Sequence, residues 1–531
     1  MTHDFAPLPI DTADAAACKT LIARLPLANA PEAQQTLARL LAGLARRPPA
    51  APAYFEVLEA AREPLAFLQG ELARHYAGKP LPLLAAESEA FGKVIALWQA
   101  MARAYAHVAQ LGADVQPSQD WLARICQRCV HCAGRVIIEC FRARQAAAPG
   151  AWIDLHGYFA TAEEWGIDKT QVAEPLNEAG HHQSPAEAYA SVLLVDLANP
   201  YGRSGQELSL ICRWAGRFAP LTAILPVSEP AEKRAYGIDL MLDASTRPLE
   251  HLPRSENARH FDTRQLADAF QETLAQIKSG VAPAELGLGE DCPPMTAGSL
   301  LRQLYKPWCL SASPRRFQRR GASGEARVCF GFEAIHYHVS GEEFHQPENV
   351  RMYSREDMDR IWTFRDQLDP TRLSVQASRA QLAYPLETWA VADQSVSGFR
   401  LKRAGAGARV ALGQLFGLKP PDGEHFLLAR VSWCMMQGDA LLIGGPVLAG
   451  LPQGIAVRPA GLNVSVSERY VRAFLLPELP SLKEAASLVL PRGMFQPRRV
   501  IEAYVGGQVT LRLDETLASG LDFERVSFTR I

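Results

Sequence analysis

No stretch of this chain is both long enough and apolar enough to span a bilayer. The longest apolar runs, SVLLVDLA and ALLIGGPVLAGL, are too short or too interrupted by Gly and Pro. The opening MTHDFAPLPIDTADAAAC has no basic segment followed by an apolar core, so it does not read as a signal peptide. Charge of one sign is also lacking. Lys and Arg number 55 against 57 Asp and Glu, a net charge of −2. Bulk attraction to a polyanion is thereby excluded, and any anion site must be a local cluster. There is no Walker loop, no G-x-S-x-G elbow, no H-E-x-x-H and no dinucleotide fingerprint. No spacing defines a catalytic set, so the expectation is a protein that is not an enzyme. Cysteine is sparse, ten residues spread over 531. Without a secretory leader that usage implies reduced thiols and a cytoplasmic location.

What is present is an ordinary soluble composition, 48% hydrophobic and 21% charged, in a chain too long for one core. The first half reads helical. Leu37, Leu40, Leu41 and Leu44 recur at i, i+3, i+4 and i+7, and Pro48 and Pro49 stop that helix. A helical domain is expected over 1–145. A second helical region over 146–278 is weakly tetratricopeptide-like at Trp152, Leu155 and Phe159, without a clean 34-residue period. Residues 279–312 begin with a Gly- and Pro-rich stretch and read as a linker. Short strands with Gly, Pro and Asp between them follow. EARVCFGFEAIHYHV is read among the β-rich segments. The predicted fold class is multidomain α + β. An all-α half precedes a β-barrel over 313–460, which carries an insertion at 340–385, and a β-rich extension over 461–531.

Three clusters could carry chemistry. Cys126, Cys129, His131 and Cys132, with Cys140 beyond, have a C-x-x-C-x-x-C spacing open to a metal or cluster. The segment continues a helical pattern, and a packed stripe of small buried residues is the favoured reading. In AIHYHVSGEEFHQP, which holds His336, His338 and His345, the first two would share one strand face as metal ligands can, but no partner set completes them, so a polar sheet face leading into a loop is favoured. Arg315, Arg316, Arg319 and Arg320 form the third cluster, in SASPRRFQRRGASG. The bland reading is a solvated basic turn. The functional one is an anion clamp, because the guanidinium fork matches phosphate oxygens and the O6/N7 edge of guanine.

Downstream, VADQSVSGFRLKR sets Asp393, Ser395 and Gly398 in a D-x-S-x-x-G spacing. On those three residues alone a turn is the favoured account. With R-x-x-x-R upstream in RRFQR, and a V-x-W strand and an I-G strand downstream, the pair of motifs resembles the PilZ domain. PilZ domains bind the bacterial second messenger cyclic dimeric GMP (cyclic di-GMP). The whole is similar to long PilZ-containing proteins with a helical N-terminal half.

The resemblance implies a cyclic di-GMP receptor with no other cofactor and no metal. By position it assigns Arg315 and Arg319, assisted by Arg316, to phosphate and guanine, Asp393 and Ser395 to a guanine edge, and Gly398 to close backbone approach. It implies signalling to an unidentified protein partner through the helical half, with no membrane contact. The alternative is a helical scaffold with a PilZ-like module that binds nothing. A nucleic-acid-binding role is disfavoured by the near-neutral charge and the lack of an RNP-type motif.

Overall fold

The structure, a computed structural model, describes residues 10–113, 118–227, 235–310, 320–321, 324–347, 384–395, 398–460 and 469–531. The chain forms two compact units, Met1–Lys79 with Leu83–Arg315, and Pro80–Pro82 with Arg316–Ile531.

The first unit begins with α1 (Ala15–Ala23), α2 (Ala30–Arg46), α3 (Ala51–Ala73), α4 (Ala85–Gly112), α5 (Gln119–Ala143) and α6 (Ala151–Glu164). Leu37, Leu40, Leu41 and Leu44 of α2 are all buried, as their spacing predicts. The longest consequences come from α5, which lies between two cores. Ile125, Cys129, Cys132 and Val136 join one cluster, while Val130, Ala133, Ile137 and Phe141 join the other. A helix buried on so many sides must pair its polar residues internally. Arg128 accordingly donates to Glu59 and to Glu174, which Arg62 also grips with Nη2 at 2.7 and 2.8 Å.

A two-strand ribbon, β1 (Val172–Ala173) with β2 (His182–Gln183), precedes α7 (Pro185–Leu197) and α8 (Gly205–Phe218). Both of these helices start with a reciprocal cap, Ser184 with Glu187 and Ser204 with Glu207. A small antiparallel sheet follows, from β3 (Ala223–Pro226), β4 (Tyr236–Asp239), β5 (Arg247–Pro248) and β6 (Ala258–Asp262), in the order β3-β6-β4-β5. The helical reading of 146–278 did not foresee it, because these strands are short and lack clean alternation. α9 (Leu266–Lys278) and α10 (Pro294–Cys309) complete the unit. α10 falls where a linker was expected. Its Leu300, Leu301, Leu304 and Trp308 are buried in the same core as α7, with the Trp308 indole N–H donating to Leu194 O at 2.8 Å.

The second unit is β-rich. An eight-stranded antiparallel sheet comprises β7 (Arg320–Gly321), β8 (Glu325–Phe330), β9 (Glu387–Ser395), β10 (Gly398–Ala404), β11 (Leu415–Lys419), β12 (Leu427–Arg430), β13 (Trp433–Gln437) and β14 (Ala440–Pro446). Its order is β12-β11-β8-β9-β10-β14-β13, with β7 paired to β9. Beyond it, β15 (Gln453–Pro459), β16 (Val471–Leu476), β17 (Ser487–Pro491), β18 (Val500–Tyr504), β19 (Gln508–Ser519) and β20 (Phe523–Arg530) close into a barrel. Most of the expected insertion at 340–385 lies outside the described residues.

In this unit a helix stands where the sequence reading had a strand. AIHYHV is not a strand but part of helix α11 (Phe332–Ser340), entered from Gly331 at φ 84°. Ala334 and Ile335 pack in one cluster with Leu415 and Leu428 of the sheet and Phe474, Val489 and Phe523 of the barrel. The helix therefore fills the seam within this unit, and that burial outweighs the strand propensity of its residues.

Candidate functional site

The D-x-S-x-x-G residues lie at the β9–β10 hairpin. Ser395 pairs with Gly398 and Asp393 with Arg400, and a bulge follows between Arg400 and Leu401. Ser395 and Asp393 are two apart on one strand and so share a face. The Ser395 hydroxyl donates to Gly398 O at 3.3 Å. The Asp393 carboxylate, only 18% exposed, lies 3.7 Å from the Arg400 guanidinium.

Gly398 has a reason to be glycine that is independent of any ligand. Its φ is not left-handed, but a Cβ there would lie 2.6 Å from Gly445 O on β14. The close approach it permits in this structure is of one strand to the next.

A row of residues crosses the sheet at this level. Gly321 pairs with Asp393, Asp393 with Arg400, Arg400 with Gly444 and Gly444 with Trp433. Gly444 leaves space for the indole, since a Cβ would lie 2.2 Å from Trp433 Nε1. The Arg400 guanidinium lies 5.9 Å from the Trp433 ring centroid. Its Nε is buried with no hydrogen-bond partner among the described residues. A carboxylate, a guanidinium and an indole thus stand side by side, a set able to accept from a base edge and to stack. Sequence reasoning did not single out Arg400 or Trp433 as site residues. The signal was present in Trp433 and the Gly444–Gly445 pair, but only the register aligns them with Asp393.

Arg315, Arg316 and Arg319 lie outside the described residues. The chain immediately after them is described. Arg320 pairs with Gln394, and Gly321 with Asp393. The short strand that follows the arginine motif therefore lies beside the strand that carries Asp393 and Ser395.

A buried clamp supports the hairpin from its far end. Arg403, 4% exposed, stacks 4.8 Å from the Trp389 centroid, pairs with Glu387 and donates to Ala408 O at 3.0 Å. The cysteine and histidine clusters lie elsewhere. Cys126, Cys129, Cys132 and Cys140 are buried along α5, and burial pushes the Cys126, Cys132 and Cys140 thiols up to about 12. His336 packs against Phe344 and Phe474, and His338 Nε2 lies 3.1 Å from Tyr384 O. Burial lowers both imidazoles. Among the described residues no group of three or more His, Cys, Asp or Glu could hold a metal ion, and no helix is long and apolar enough to cross a membrane.

An antiparallel sheet that carries D-x-S-x-x-G on a hairpin, with R-x-x-x-R leading into the strand beside it, defines a PilZ-type module. Three family models match successive parts of the chain. They are described as "Cyclic-di-GMP receptor FimW, N-terminal domain" over 16–229, "Cyclic-di-GMP receptor FimW, middle PilZ domain" over 239–370, and "FimW C-terminal beta-barrel domain" over 455–531. The chain belongs to this family of PilZ-containing proteins with a helical N-terminal part and a C-terminal barrel. The middle match includes Arg315, Arg316 and Arg319 and ends before Asp393. A curated relative, the cyclic-di-GMP receptor FimW of Pseudomonas aeruginosa, is 23% identical over 543 aligned positions, covering 92% of this chain and 86% of its own.

Proposed function

We propose that this protein is a receptor for cyclic di-GMP. The observation that carries the reading is the pairing of β7 with β9, which brings the chain leaving the arginine motif alongside Asp393 and Ser395. In this reading Arg315 and Arg319, with Arg316 assisting, hold phosphate and guanine. Asp393 accepts from a guanine N–H edge, and Ser395 adds a hydroxyl contact. Gly398 keeps the hairpin against β14, and Arg400 with Trp433 offers a stacking surface beside the carboxylate. The relative's printed name, a cyclic-di-GMP receptor, supports the same ligand. The protein acts as a non-enzymatic effector that relays occupancy to a protein partner through the helical half. In sequence the arginine motif joins α10, the last helix of the first unit, directly to β7.

Calorimetric titration of the full chain with cyclic di-GMP tests the ligand. Saturable binding lost in both Arg319→Ala and Asp393→Ala is expected. A folded protein that gives no saturation at high micromolar nucleotide would leave the ligand-free scaffold as the correct reading. That second reading has one observation in its favour, the purely steric reason for Gly398. For the relay, the ligand should alter hydrogen exchange in α9 as well as around Asp393. Protection confined to the sheet would refute it.

A further inference from the structure

A cavity of about 280 Å³ lies in the first unit between α5 and α8, closed by the Leu176–Ala179 segment. Three of its lining residues are arginines, Arg135 and Arg142 from α5 and Arg213 from α8. Arg135 and Arg142 share one carboxylate. Glu139 Oε1 accepts from Arg135 Nη2 at 2.8 Å and from Arg142 Nη1 at 3.0 Å, while its Oε2 accepts from the Tyr76 hydroxyl at 2.7 Å. Glu139 is fully buried and cannot swing away. On this wall two guanidinium charges therefore face one carboxylate.

The opposite wall is paired differently. Arg213 binds Glu178 at 3.0 Å and Asp291 at 2.6 Å, and these carboxylates are 73% and 65% exposed. Ion pairs with groups so exposed contribute little and exchange readily with other anions. Cys212 also lines the cavity, and burial pushes its thiol up to about 11, so it adds no negative charge. An anion that enters can take over Arg213 while Glu178 and Asp291 return to water. It then lies among three guanidiniums opposed by one fixed carboxylate, in partial shelter from solvent, where charge-assisted forks are strongest.

We propose that this cavity is a second ligand site, one that takes a small phosphoryl or carboxylate polyanion. Its volume falls just below the roughly 300–1,000 Å³ typical of small-molecule sites, which suits a compact anion rather than a dinucleotide. The site is separate from the β9–β10 hairpin and does not depend on the cyclic di-GMP reading.

Equilibrium dialysis of the full chain against radiolabelled pyrophosphate, and separately citrate, at low ionic strength tests it. Saturable binding near one per chain, weakened about tenfold or more by Arg213→Gln and by Arg142→Gln, is expected. Preference for pyrophosphate would assign a phosphoryl ligand, and preference for citrate a carboxylate one. Arg213→Gln should leave cyclic di-GMP titration unchanged. No saturation by either anion up to about 5 mM, or binding untouched by Arg213→Gln, would overturn the proposal.

Discussion

Replacing Gly398 with Ala separates a requirement for packing from a requirement for ligand. A Cβ at this position would lie 2.6 Å from Gly445 O and 3.3 Å from Gly445 C and Pro446 Cα. All three atoms are backbone, so none can rotate aside. Restoring ordinary contact means opening the β10–β14 edge by about 1 Å, and overpacking of this kind costs about 1–3 kcal/mol. The backbone itself is not strained, because the φ of Gly398 is not left-handed. That free energy corresponds to roughly 5- to 150-fold faster exchange of amides that open with this edge. Hydrogen-exchange mass spectrometry on peptides covering 398–404 and 440–446, without nucleotide, reads it directly. Cyclic di-GMP binding should also weaken, because Ser395 and Asp393 move with the hairpin. Unchanged exchange in both peptides together with lost binding would refute the reasoning. It would mean that the glycine serves the ligand rather than the neighbouring strand.

Other perturbations have equally definite outcomes. Arg403→Ala leaves Glu387 without its buried partner and removes the stack on Trp389, so the second unit should lose about 3 kcal/mol in urea unfolding. Arg403→Lys should restore only part of it, because Lys lacks the fork that also reaches Ala408 O. Glu174 is fully buried. Burial acts to raise its carboxyl, but the neighbouring His131 imidazolium, with Arg62 and Arg128 both hydrogen-bonded to the carboxylate, holds it down at about 2. A depressed carboxyl contributes stability that is complete above the ordinary value near 4.5 and is lost as pH falls toward 2. The first unit should therefore lose about 3 kcal/mol across that window in acid unfolding, and Glu174→Gln should abolish this component. At the proposed nucleotide site, Arg315→Ala and Arg319→Ala should each weaken cyclic di-GMP binding by about 2–5 kcal/mol, more than Arg320→Ala does. Equal losses at all three positions in calorimetry would indicate a diffuse basic patch instead.

By itself the sequence determined the features that depend on residue type at short spacing. The leucines of α2 announce one buried helical face at 3.6-residue period, and the structure buries all four. D-x-S-x-x-G and R-x-x-x-R were readable because they are defined by residue type at fixed short spacing, whatever surrounds them. The α + β order and the PilZ relationship followed from those local signals. Tertiary structure decided everything that depends on which strands and helices meet. α11 contains aromatic and β-branched residues that favour a strand, yet Ala334 and Ile335 are buried on a helix in the seam between sheet and barrel. α10 was hidden behind the Pro- and Gly-rich run before it. It exists because Leu304 and Trp308 have a core to enter, which no local pattern discloses. The row from Asp393 through Arg400 to Trp433 is set by strand register, a long-range property that closes only when β14 pairs with both β10 and β13. The purpose of Gly398 was equally invisible, because the atom that excludes a side chain there belongs to a residue 47 positions further along the chain.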